Sequence, residues 1–152
     1  MHGAAPGNPT AQPSGTVLAF DFGLKRVGVA SGDLALGIAH PLDTIEAHRA
    51  DSLFSRIAAL IGEWRPVRLV VGLPVSLEGE PHELTRRARR FARQLEQQFN
   101  LPTEFADERL SSAEASLALK EAGILGRKQK PYLDQVAACR ILQSYFDDAR
   151  AP

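Results

Sequence analysis

The fifteen residues from Val17 to Ser31, Val-Leu-Ala-Phe-Asp-Phe-Gly-Leu-Lys-Arg-Val-Gly-Val-Ala-Ser, constrain the fold of this chain more than any other stretch. Val17, Leu18, Ala19 and Phe20 form a run with no polar residue, the pattern of a strand buried on both faces in the middle of a sheet. Gly23 supplies a tight turn, and Arg26 to Ser31 reads as a second strand. Gly28, inside that strand, leaves room for another backbone or a ligand, a phosphate included, to come close. Asp21 closes the first strand. A carboxylate that follows a buried apolar run is a poor core residue unless something pairs with it. Its structural reading is an Asx turn at Phe22-Gly23; its functional reading is a site.

Around this pair the remaining elements fall into a simple order. Residues 1–15 hold three Pro, three Gly and three Ala with no apolar periodicity, and are expected to be a disordered leader. Strands are expected over Thr16–Asp21, Arg26–Ser31 and Gly37–Ile45, the third interrupted by Pro41 and hence suited to a sheet edge. Leu53, Ile57, Leu60, Ile61 and Trp64 recur at helical spacing in a helix over Asp51–Trp64 that Pro66 ends. Val67–Gly72 is a short β-branched run, read as a buried parallel strand. Leu84, Ala88, Phe91, Leu95 and Phe99 stripe a long helix over His82–Phe99, with Arg86, Arg87, Arg89, Arg90 and Arg93 off the stripe. Thr103–Ala106 makes the last strand. Ser111 and Glu114 form a capping box at the start of a helix that ends near Gly123. A final helix begins near Pro131, a residue favoured at the first helical position, and runs to about Phe146. The order predicts one α/β domain over residues 16–149, a mixed five-stranded sheet with helices on both faces.

Composition removes several classes of function. With one cysteine, Cys139, no intrachain disulfide can form; together with the lack of a targeting signal this points to a reducing cytoplasm. The four histidines are scattered and lack cysteine partners, against a structural zinc site. No apolar run approaches the roughly 18 residues of a membrane helix. Formal net charge is zero, so any nucleic-acid binding has to come from a local basic patch.

The acids are placed more tellingly than the bulk numbers. Asp21 ends the first strand, Asp107 and Glu108 end the last, and Asp134 opens the final helix. Asp134, Ala137, Ala138 and Ile141 share one helix face, and the two alanines let that face approach the sheet. Asp134 therefore points inward. The plain alternative is an acid complementing the positive helix N-terminus, just as Asp107 and Glu108 could simply pair with Arg109 at the surface. Carboxylates that converge repel one another unless a cation intervenes. Magnesium and similar hard ions take carboxylate oxygens and keep several waters, so two or three acids suffice. Such a site can hydrolyse a phosphodiester. Lys25, Arg26, Arg109, Arg127 and Lys128 lie beside these acids and would position phosphates. Some of the arginines from Arg86 to Arg93 read first as a solvated helix face.

Four segments resemble the YqgF family of Holliday-junction-resolvase-like proteins, also described as the pre-16S rRNA nuclease. They are Ala19–Ala30, Val70–Pro74, Asp107–Ala115, and Asp134–Ala138 continuing through Ile141-Leu142-Gln143-Ser144-Tyr145. The resemblance implies a ribonuclease-H-like fold and a nuclease that depends on Mg2+ or Mn2+, with Asp21, Glu108 and Asp134 as catalytic and metal-binding acids. Strand alternation puts Asp107 and Glu108 on opposite faces without choosing between them; the family match favours Glu108. Two positions depart from the family pattern. Leu24 stands where a small hydroxyl residue is common, and Ser76 replaces an amide.

The expected activity is endonucleolytic, on structured nucleic acid, with RNA favoured over a DNA junction and maturation of the pre-16S rRNA 5′ end as the setting. Pre-ribosomal particles are candidate partners, and the chain would act as a monomer or homodimer with no membrane contact. The competing reading is a binding module that docks on pre-ribosomes or a transcription complex without turnover. A nucleotide-phosphate enzyme of the actin or sugar-kinase type also opens with Asp-x-Gly, but needs two such domains, and this chain has room for one.

Overall fold

The computed structural model describes residues 15–73, 82–107 and 129–150. Its strands are β1 (Thr16–Phe22), β2 (Arg26–Asp33), β3 (Ile38–Glu46), β4 (Arg68–Leu73) and β5 (Thr103–Asp107), and its helices are α1 (Ala50–Trp64), α2 (His82–Phe99) and α3 (Gln129–Arg150). The Ser111 capping box and the helix expected after it lie outside the described residues, as does Ser76.

The five strands form one mixed sheet in the order β3-β2-β1-β4-β5. β1 pairs antiparallel with β2 and parallel with β4, which pairs parallel with β5. The apolar run of β1 is thus central, and Val17 through Phe20 are fully buried. Pro41 sits in β3, the edge strand, beside a register shift opposite Val29 and Ala30. Proline has no N–H to give a ladder, which an edge and a bulge both tolerate.

Alternation along β1 and β2 divides the core in two. Leu18, Phe20, Val27 and Val29 pack with Leu53, Ile57 and Leu60 of α1 and Phe91 and Leu95 of α2. Val17, Ala19 and Ala30 pack on the other face with Ala138, Ile141, Leu142 and Phe146 of α3. Phe20 and Phe91 meet edge to face at 5.9 Å between centroids, a favourable aromatic geometry.

β1 runs one residue further than its sequence pattern suggests. Asp21 pairs with Gly28 and Phe22 with Val27, so Asp21 lies inside the ladder. Gly23 is needed for space: a Cβ there would meet the Arg26 carbonyl at 2.7 Å.

α3 is fixed to its face at three places. At its start the Asp134 backbone lies directly over Gly28, where any Cβ would overlap the Asp134 carbonyl. Midway, the Gln143 side chain donates to the Gly37 carbonyl at 2.8 Å and accepts from the Ala39 amide at 3.2 Å, holding the β2–β3 hairpin. Further on, Arg68 donates to the Tyr145 hydroxyl at 2.6 Å, and that hydroxyl donates to Glu104 at 2.8 Å. These bonds tie the helix to β4 and β5. Burial, above all, pushes the Tyr145 hydroxyl above its ordinary pKa, and the bond to Tyr145 raises that of Arg68.

The close approach at Gly28 yields a direct test. Gly28→Ala should destabilise the domain by about 2 kcal/mol or more, because the obstruction is backbone and cannot rotate aside. Urea unfolding measures it; a loss under about 0.5 kcal/mol, the range of neutral surface changes, would contradict the packing described.

Candidate active site

The site is built from β1, the start of β2 and the start of α3. In β1, Val17 and Ala19 face α3; Asp21, two residues on, continues that face, and it is half-buried. In β2 the same face carries Ala30, Gly28 and Arg26. Gly28 is the cross-strand partner of Asp21, a relation that places their Cα atoms about 5 Å apart. Because the Asp134 backbone rests on Gly28, Asp21 and Asp134 are neighbours on one face, although 113 positions separate them (134 − 21). Gly28 therefore makes room for the chain's own helix, not for a phosphate.

The Asp134 carboxylate is only 22% exposed and accepts, on Oδ2, a 2.7 Å hydrogen bond from Arg26 Nε. This answers the capping alternative. α3 begins at Gln129, so its first turn holds no acid and Asp134 comes a turn later, where the helix-end field has faded. The side chain is directed at the sheet and a cation. Arg26 is thus already engaged by one of the acids it stands beside. Lys25, in the β1–β2 turn, is exposed, and its carbonyl accepts from Ala47 at 2.9 Å. Leu24 beside it is also exposed.

β5 lies beyond β4 from β1. Glu104 reaches Tyr145 on α3 and Ala106 packs against the α3 cluster, whereas Phe105 lies under the Arg89 guanidinium of α2, 5.6 Å from its ring centroid. The even-numbered residues of β5 face α3. Glu108, Arg109, Arg127 and Lys128 lie outside the described residues. Among the described residues no cluster of three or more Asp, Glu, His or Cys could hold a metal ion; of the expected acids, Asp21 and Asp134 share one face, on either side of Gly28.

Cys139 does not supply a nucleophile: burial pushes its thiol up to about 11, leaving it protonated near neutrality. The Arg68–Tyr145–Glu104 and Gln143 anchors escaped the sequence reading. The only trace of them was that Gln143 and Tyr145 fall within the fourth motif, where spacing alone gives them no partner.

Comparison with known proteins gives the family and the fold. The family model described as RuvX, Holliday junction resolvase, matches residues 15–148. A protein of Methylobacillus flagellatus named "Putative pre-16S rRNA nuclease" is 63% identical over 139 residues, 91% of this chain and 95% of its own. One of the same name from Nitrosospira multiformis is 56% identical over 93% of this chain and 94% of its own. Among solved structures, Thermus thermophilus RuvC in complex with a Holliday junction substrate superposes with a TM-score of 0.55 at 17% identity, over 88% of this chain and 94% of that one. At that identity the likeness speaks for the fold, which is ribonuclease-H-like. With the family match spanning nearly the whole chain and such close relatives over the same length, the chain belongs to the RuvX family, the YqgF family that its four motifs resemble.

Proposed function

We propose that this protein is a metal-dependent endonuclease that hydrolyses phosphodiester bonds in structured RNA, with the pre-16S rRNA 5′ end as its substrate. The observation that carries the reading is that Asp21, as cross-strand partner of Gly28, and Asp134, whose backbone lies over Gly28, share one face with Arg26. The names of the close relatives agree with it.

The donor set fits a hard divalent ion such as Mg2+ or Mn2+. Both acids offer carboxylate oxygens, and both are partly open to solvent, as an ion that retains waters requires. Glu108 is the third acid of the proposal. What supports it is its parity with Glu104 and Ala106, which face α3, and the resemblance of the third motif. Bound there, the ion would activate water and stabilise the leaving oxygen. Asp21 sits on a central strand and is the rigid member of the set. Asp134 is held in place by Arg26, whose charge offsets the repulsion between neighbouring carboxylates. Lys25, with Arg109, Arg127 and Lys128, would draw in the phosphate backbone.

A DNA junction is the second substrate reading, favoured by the description of the family itself. The same metal chemistry serves both, so the purified protein should be assayed on each with Mg2+ or Mn2+.

Asp21→Asn should retain the far-ultraviolet circular dichroism of the native fold and lose cleavage of pre-16S rRNA by about a hundredfold or more, the scale of a lost transition-state interaction of roughly 3 kcal/mol. Chelation by EDTA should abolish wild-type cleavage and added Mn2+ restore it. Wild-type cleavage by the variant, or cleavage insensitive to EDTA, would overturn the assignment; RNA binding without any cleavage would leave the binding module.

Arg26→Ala and Lys25→Ala separate the two cations. Loss of the half-buried Arg26 bond should lower stability by about 1 kcal/mol and cleavage at least tenfold. Lys25→Ala should leave stability within about 0.5 kcal/mol and reduce cleavage less. Equal effects on stability would remove the distinction drawn between them.

A further inference from the structure

The face of the sheet opposite Asp21 carries a basic cleft that the catalytic reading does not use. Phe22 is the next residue of β1 after Asp21, and alternation sends its ring to the α1/α2 side. There it lines a cleft of about 320 Å³ with Ala47, Leu53 and Phe54 on one wall and Arg87, Arg90, Phe91 and Gln94 on the other. Phe22 and Phe54 pack on Phe91 at centroid distances of 5.0 and 5.9 Å, so the floor is aromatic.

The wall above that floor is strongly positive. α2 carries Arg86, Arg87, Arg89, Arg90 and Arg93 against only Glu83 and Glu96, in a chain of zero net charge. Arg86 and Arg87 share Glu83, at 3.2 and 2.9 Å, and Arg89 covers Phe105. Arg90 and Arg93 form no ion pair among the described residues, and Arg90 lines the cleft. A solvated helix face usually interleaves its charges with opposite ones; here five arginines stand against two acids, and among the described residues only Arg86 and Arg87 of the five are in ion pairs, both with Glu83. A wider groove adjoins the cleft, shares Ala50, Phe54 and Gln94 with it, and adds Asp51 from the first turn of α1.

We propose that this cleft is a second nucleic-acid contact, which seats a backbone phosphate of the substrate strand on Arg87 and Arg90 as the strand passes over the sheet end from the acids at Asp21. Planar guanidinium groups suit phosphate oxygens, and the aromatic floor beneath offers apolar contact to the attached sugar or base. The proposal rests on the nuclease reading for its substrate class and adds to it a binding surface remote from the reacting phosphate.

The test measures binding, in EDTA, of a fluorescein-labelled RNA hairpin that carries a single-stranded 5′ extension, by anisotropy across a salt series. Arg90→Gln is compared with Arg65→Asn, which removes one charge from an exposed arginine at the far end of α1. Arg90→Gln should weaken binding at least threefold and flatten the salt slope by about 0.7, one phosphate contact on a single strand. Arg65→Asn should change neither. Wild-type binding and slope in Arg90→Gln, or an equal loss in Arg65→Asn, overturns the cleft contact while leaving the nuclease reading intact. Failure of the wild-type protein to bind RNA contradicts the RNA reading itself, and the cleft contact with it.

Discussion

The contact between the Asp134 backbone and Gly28 is the constraint on which the rest of the structure turns. A strand residue with any side chain would hold α3 off the sheet. With glycine there, Ala137 and Ala138 settle beside the contact, buried, and Ile141 follows into the core below. Gln143 and Tyr145 then find partners on the two flanks of the sheet, at Gly37 and at Arg68 and Glu104. The same contact brings Asp134 beside Asp21, because Gly28 and Asp21 are cross-strand partners. One missing Cβ thus links the packing of a helix to the placing of an acid.

Electrostatics follow from that placement. Two partly buried carboxylates on one face would oppose folding unless compensated. Arg26 meets that need within the chain, two residues before Gly28 on the same face of β2. The sequence order Arg26, Val27, Gly28 therefore reads as cation, core residue and clearance, each set by alternation. The arginine also narrows how Asp134 can serve a metal, since Oδ2 is already occupied by Nε–H.

Much of this was legible in the sequence because it depends on short-range periodicity. The apolar run Val17–Phe20 gave the central strand, Pro41 the edge, and the stripe from Leu84 to Phe99 the long helix. The spacing of Asp134 with Ala137, Ala138 and Ile141 revealed the inward face. What periodicity could not supply was partner choice. Nothing local pairs Arg26 with Asp134, 108 residues apart, or says that Gly28 clears space for the chain's own helix. Nor does the pattern of α2 tell which of its exposed arginines, Arg87 and Arg90, line a cleft with Phe22. The start of α3 was legible to within two residues: Pro131 suits any early helical position, since the first turn needs no N–H donors, and the helix begins at Gln129.

The proposed metal site joins Asp21 and Asp134 with Glu108. The most direct measurement is anomalous diffraction from crystals of this protein soaked in Mn2+. At least one ion should be bound by oxygens of both Asp21 and Asp134, at about 2.1 Å, with Glu108 completing the set. Full-occupancy manganese elsewhere, with the pair still closed by Arg26 and free of metal, would contradict it.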